Sequence, residues 1–245
     1  MSISQIILIS GWGTDSSIWN TIADKLDNPV NLIPWWECLS NDPSNNSLLK
    51  LLAELNDPVI LVGWSLGGMI ALSAAIACPG KVSGIVLVSS SARMVQDKEY
   101  AGVSTRVLKA MKLRLKADKQ GLMNDFATMG ISPEKSDSLR KDFVSGALEI
   151  DNDKLTEGLS FLQNCDLRDQ LINVRIPVNI IHGECDGIMN PDNADYLSDK
   201  LLNTSLDIVG GTGHFMIQSK PEIITESIKN IIPKAKWFSK NYKNK

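Results

Sequence analysis

Apolar positions along the chain follow two periods. Short β-branched runs at residues 3–9, 30–33, 59–62, 82–88, 177–181 and 205–209 are bounded by Gly, Pro, Asn or Asp and read as buried strands. Between most of them apolar residues recur every three or four positions, which predicts helices. These include Ile18, Ile22, Ala23 and Leu26, the stretch 48–55, then Met69, Ile70, Leu72, Ala75 and Ile76, and the stretches 194–202 and 221–232. Ser16 and Ser17 are candidate caps for the first of these. Asn56-Asp57-Pro58 and Pro79-Gly80 are stop signals for two others. Such alternation predicts an α/β fold, a mostly parallel, doubly wound sheet with helices on both faces and ligands at the carboxyl ends of the strands.

The strand signal disappears from residue 93 to residue 166, and several amphipathic helices take its place, with breaks near Gly121, 130–133 and 151–153. A helical insertion at that edge of a sheet would roof the site. The expected organisation is a core of residues 1–92 and 166–232, a helical cap of 93–165, and a basic tail of 233–245. On a helix spanning 103–119, Lys109, Lys112, Lys116 and Lys119 fall on one side and Val107, Met111 and Leu115 on the other. That basic face would attract an acidic partner protein, although a solvated cap face has the same pattern.

Gly63-Trp64-Ser65-Leu66-Gly67 joins one strand to the next helix through a turn too tight for a Cβ at either glycine. It lifts the Ser65 hydroxyl above the sheet edge. A serine hydroxyl needs a base, and the base needs an acid to orient it. The chain has two histidines. His182 ends a strand and reads as a structural or lining residue, whereas His214 lies in the flexible loop Gly210-Gly211-Thr212-Gly213-His214-Phe215 and is the better base. Asp186 follows a strand between Ser65 and His214, the required order, with Glu184 as the fallback. The N–H groups of Leu66 and Trp12 are the candidate oxyanion donors. The indoles of Trp12 and Trp64 either line the pocket or pack beneath it. Phe126, Met129, Phe143, Leu159 and Phe161 either line an acyl tunnel or fill the cap core, with Phe126 and Phe143 the candidates for substrate contact.

Composition narrows the setting. The 245 residues carry a formal charge of −3, which gives no reason to expect nucleic-acid binding. Cys38, Cys78, Cys165 and Cys185 have no metal-ligand spacing, so free thiols in a reducing compartment are expected. Neither a signal-like start nor an apolar run long enough to span a bilayer is present in the sequence, so a cytoplasmic monomer is expected, without metal or organic cofactor and without membrane attachment. From Pro233 the last thirteen residues hold five lysines and no acid, which reads as a solvated, frayed tail.

Taken together, these residues resemble the α/β-hydrolase superfamily over nearly the whole chain, lacking only its first antiparallel strands. Gly11-Trp12-Gly13, Gly63-Trp64-Ser65-Leu66-Gly67-Gly68 and Cys185-Asp186-Gly187-Ile188 are similar to the biotin-pathway carboxylesterases that act on pimeloyl-[acyl-carrier protein] methyl ester. Leu155-Thr156-Glu157-Gly158-Leu159 and Cys165-Asp166-Leu167-Arg168 are similar too. The resemblance implies hydrolysis of a methyl ester on a carrier-bound acyl chain, with an acyl carrier protein as partner. The basic helix face, and no motif shared with the family, makes Lys109, Lys112 and Lys116 candidate contacts for it. Two departures bear on the acyl pocket. Ser10-Gly11 stands where the family has His-Gly, and Pro34-Trp35-Trp36-Glu37-Cys38-Leu39 replaces its Asp-x-x-Gly-x-Gly-x-Ser loop. A thioesterase or C–C hydrolase would use the same triad. From another class, a binding protein or receptor on the same fold is also open.

Overall fold

In the computed structural model, which describes residues 5–40 and 45–241, six parallel strands form one sheet. They are β1 (Ile6–Ile9), β2 (Val30–Ile33), β3 (Val59–Trp64), β4 (Val82–Val88), β5 (Val178–Gly183) and β6 (Thr204–Val209). Their order is β2-β1-β3-β4-β5-β6, which puts the carboxyl ends of β3, β5 and β6 on one edge. The strands β1, β3, β4 and β5 are buried along their whole length, as a parallel sheet covered on both faces requires. At the sheet edge β6 alternates with solvent. Residues 3–4 of the predicted first strand, 41–44 of the predicted polar loop, and the terminal lysines 243 and 245 lie outside the described residues.

After β1 the chain makes a 3-10 turn over Ser16–Trp19 that runs into α1 (Asn20–Ala23). Its cap is Asp15, whose carboxylate accepts the Ser17 N–H at 2.7 Å, and not Ser16 or Ser17. Next comes α2 (Ser47–Glu54), capped by Asn46, and then α3 (Leu66–Ala77), which starts directly from β3.

Four helices separate β4 from β5: α4 (Thr105–Ala117), α5 (Lys119–Ile131), α6 (Asp137–Glu149) and α7 (Asn152–Asn164). The break expected at Gly121 falls at Asp118, which caps α5 through the Gly121 N–H. The helix expected across 103–119 therefore stops at Ala117. Lys119 opens α5 instead, its ammonium donating to the carbonyl of Leu148 at 2.8 Å. Along α4, Leu108 joins the expected apolar side and Lys112 leaves the expected basic side. Leu108 and Leu115 are buried, Val107 is 46% exposed, and Lys112 turns toward α7 to donate to Gln163 at 3.1 Å.

The chain passes between sheet and helical roof at two adjacent points, where Leu167 N–H donates to Ala92 O at 3.0 Å and Arg93 bridges Asp166. Four charges clasp this crossing. Arg93 reaches Asp97 and Asp166 at 3.0 and 2.9 Å, and Arg168 reaches the same two carboxylates at 2.8 and 2.9 Å.

The remaining helices are α8 (Asp192–Lys200), α9 (Met216–Ser219) and α10 (Pro221–Asn241). The frayed tail expected from Pro233 is helical as far as Asn241. Ile231 before the proline and Ala235 and Ser239 beyond it, spaced by four, are buried, and the helix packs on β4. No helix among the described residues is long and apolar enough to cross a membrane.

Candidate active site

Ser65 sits between β3 and α3 with φ 57° and ψ −119°, a conformation that L residues adopt only under constraint. The constraint is visible on both sides. Ser65 N–H donates to Val88 O at 2.8 Å, and Ser65 O accepts the hydroxyl of Ser90 at 2.8 Å. A Cβ on Gly63 would strike the backbone of Gly67 and Gly68, and one on Gly67 would strike the carbonyls of Ile9 and Ser10. Both glycines are therefore demanded by close backbone packing around the serine. Leu66 opens α3, so its N–H has no carbonyl one turn earlier to pair with and is available to an anion beside Ser65. Trp12, from the loop after β1, lines the same cavity as Ser65.

The three polar residues expected to act together meet in space. His214 Nε2 is 3.0 Å from Ser65 Oγ, and its Nδ1 is 2.7 Å from Asp186 Oδ2. All three are buried. Asp186 Oδ1 accepts the N–H groups of Ile188 and Met189 at 2.9 and 2.8 Å. Burial acts to raise the Asp186 carboxyl, but the charge on His214 and the contacts from His182 and His214 outweigh it and hold the group well below the usual carboxylate range. Glu184 faces elsewhere, accepting the Gly211 N–H at 2.9 Å. The thiols of Cys38 and Cys165 are pushed up to about 12, chiefly by burial, which leaves them poor nucleophiles.

Ser65 opens into a cavity of about 280 Å³ between the sheet edge and α4, α5 and α7. Its walls are largely apolar: Trp12, Met94, Leu122, Phe126, Met129, Leu159, Leu162, Ile188 and Met189. Arg114 and Asp125, also on the wall, pair with each other at 2.8 Å. Two expected substrate contacts are not on this wall. Phe143 lies behind it, stacked on Phe126 at 5.6 Å and edge-on to Phe215 at 4.9 Å, and faces a separate cleft with Gly13 and Asp15. Trp64 is buried beneath the site, its ring 5.3 Å from that of His214. Phe161 faces another cleft, beside Leu39 and Ile70. Of the basic residues on α4, Lys109 and Lys116 are exposed while Lys112 is tethered to α7.

Ser65, His214 and Asp186 thus meet at the carboxyl edge of an all-parallel sheet, roofed by helices inserted after the fourth strand. The family described as "Serine aminopeptidase, S33" matches residues 47–218. The chain belongs to this α/β-hydrolase family. A hydrolase relative from Aliivibrio salmonicida, named pimeloyl-[acyl-carrier protein] methyl ester esterase, is 30% identical over 248 residues, covering 96% of this chain and 95% of that protein. One of the same name from Wigglesworthia glossinidia brevipalpis is 29% identical, covering 94% of each chain. Among solved structures, an esterase from Exiguobacterium antarcticum superposes with a TM-score of 0.82 at 18% identity, covering 95% of this hydrolase and 93% of that chain.

Three further residues shape the site. Ser90 supports the strained serine, Leu155 O accepts the Trp12 indole N–H at 2.9 Å, and His182 Nε2 lies 2.9 Å from Met189 O and 3.3 Å from Asp186 Oδ2. For Leu155 a signal exists, since it opens the 155–159 stretch similar to the biotin-pathway esterases. Ser90, in a run of three serines, gives none.

Proposed function

We propose that the protein is a cytoplasmic serine carboxylesterase of biotin synthesis that hydrolyses the methyl ester of a pimeloyl chain carried by an acyl carrier protein. The observation that carries this reading is the 3.0 Å approach of His214 Nε2 to Ser65 Oγ at the floor of an apolar cavity. Ser65 attacks the ester carbonyl while His214 takes its proton, and the oxyanion falls to the N–H groups of Leu66 and Trp12. Asp186 fixes the tautomer of His214 and stabilises its cation. His214 then protonates the departing methanol, and water activated by the same imidazole releases the acid. An uncharged methyl ester enters an apolar cavity without loss. The product carboxylate is poorly solvated among these apolar walls, which favours its exit. The exposed Lys109 and Lys116 on α4 are offered as contacts for an acidic carrier, with Lys112 behind them.

Mass spectrometry of methyl pimeloyl carrier protein incubated with the enzyme tests the reading. Loss of one methylene unit, absent with Ser65→Ala, is the expected result. Loss of the whole acyl group would identify a thioesterase instead. An unchanged mass, with Ser65 unlabelled by a fluorophosphonate, would favour a binding protein on a hydrolase fold.

A further inference from the structure

We propose that His182 is a positioning residue for this reaction, holding the 186–189 turn from beneath and setting how strongly Asp186 supports His214. The inference rests on the Ser65–His214–Asp186 reading.

His182 ends β5 with its side chain fully buried. Nε2 faces two oxygens that only accept, Met189 O at 2.9 Å and Asp186 Oδ2 at 3.3 Å. Nδ1 is buried with no partner among the described residues. A proton on Nδ1 would be an unpaired buried donor, so the fitting state is a neutral ring with its proton on Nε2. Met189 is consequently gripped at both ends. Its N–H donates to Asp186 Oδ1 at 2.8 Å, and its carbonyl accepts from His182. A leucine would fill the space without leaving a ring nitrogen unsatisfied, so the cost of this imidazole is offset by the work of Nε2.

Two effects follow. The Nε2–H, bonded to Met189 O, sets its partial positive charge 3.3 Å from Oδ2, which competes with His214 for the carboxylate, and the bond itself fixes Ile188 and Met189, which form part of the cavity wall. The charged and titratable groups around Asp186 are few. His182 comes from β5 and His214 from the loop after β6; Glu184 is turned to Gly211 N–H, and from the roof Arg114 and Asp125 are paired across the cavity.

The test is the pH dependence of kcat/KM on a p-nitrophenyl ester. His182→Gln keeps an N–H at similar reach, and His182→Leu removes it. With Leu the acid limb should move up by about half to one pH unit, as expected for loss of a partial positive charge beside a buried carboxylate, and KM should rise as the Met189 carbonyl loses its donor. With Gln the profile should superimpose on that of the wild type. A Leu limb that coincides with the wild type, or a Gln limb displaced as far as that of Leu, would overturn the proposal. Should His182→Leu not fold, nitrogen-15 spectra of the wild type decide, because the chain has only two imidazoles to resolve. A proton on Nε2 of His182 with Nδ1 bare at neutral pH supports the assignment, whereas a proton on Nδ1 rejects it. Absence of Ser65-dependent turnover in the wild type would instead remove the catalytic reading, with the imidazole spectra still reporting on His182.

Discussion

The indole N–H of Trp64 donates to the backbone carbonyl of His214 at 3.0 Å, so the residue before Ser65 holds the loop that carries the imidazole proposed as its base. Trp64→Phe preserves most of the ring volume and leaves that buried carbonyl without its donor. The expected cost is about 1–2 kcal/mol of stability. If a similar loss reaches the transition state, kcat falls about tenfold with little change in KM. Thermal unfolding and steady-state kinetics on one preparation check both numbers.

Asp186→Asn keeps the shape of the relay but offers His214 Nδ1 an amide in place of a carboxylate. The wrong tautomer of His214 then faces Ser65, and kcat should fall by about 10⁴-fold. Because the Asp186 carboxyl is depressed in the folded chain, it adds stability above its ordinary value near 3.8 and loses that contribution as pH falls through the folded value. The gap in melting temperature between wild type and Asp186→Asn should therefore be wide at neutral pH and close in strong acid. A pH series of unfolding curves measures it.

The clasp at the crossing between sheet and roof carries a second acid dependence. Asp97 is lowered chiefly by the Glu99 N–H, with Arg168 and Arg93 adding to it, and Asp166 chiefly by the Arg168 side chain. Both carboxylates support the folded state above their ordinary value of 3.8, and the support fades as pH drops below it. Asp166→Asn should speed amide exchange in residues 92–97 and 165–168 at neutral pH, and acid should produce the same pattern in the wild type. Equal exchange in variant and wild type would show that the backbone pairing alone holds the crossing.

Gly158 on α7 lies so close to two indoles that a Cβ there would come within 2.6 Å of Trp35 and 2.7 Å of Trp12. Gly158→Ala must push Trp12, whose backbone N–H is proposed to bind the oxyanion. Kcat on short esters should fall by about one to two orders of magnitude, the scale of a misplaced oxyanion donor. The same substitution at Gly146, where a Cβ meets nothing within 4 Å, should leave kcat unchanged. Parallel assays of the two variants separate a local push from a general effect on the roof.

Ser65, Asp186 and His214 could be found in the sequence because the first two follow the continuous apolar runs of β3 and β5 and the third follows the alternating run of β6, and parallel strands bring their ends together. What eluded the sequence depends on side-chain direction and tertiary cover. Trp64 and Phe143 are aromatic and close to the relay, yet whether a ring faces the cavity is set by its rotamer and neighbours. On α4 the expected apolar row faces inward, with Val107 and Met111 on the cavity wall and Leu115 buried, but Leu108 is buried beside it and Lys112 turns from the basic side toward α7. Pro233 is a stop signal by local chemistry, but burial of Ile231, Ala235 and Ser239 carries the helix through it.

The two departures from the family pattern touch each other. Ser10 Oγ donates to Thr14 O at 3.2 Å and accepts the backbone N–H of Trp35 at 3.2 Å, while the Trp35 indole N–H reaches the same Thr14 carbonyl at 3.1 Å. The loop bearing Trp12 and the segment from Pro34 are thus one interlocked part. An imidazole grafted at position 10 alone would strand the Trp35 amide, so these segments can be exchanged with those of a relative only as a pair.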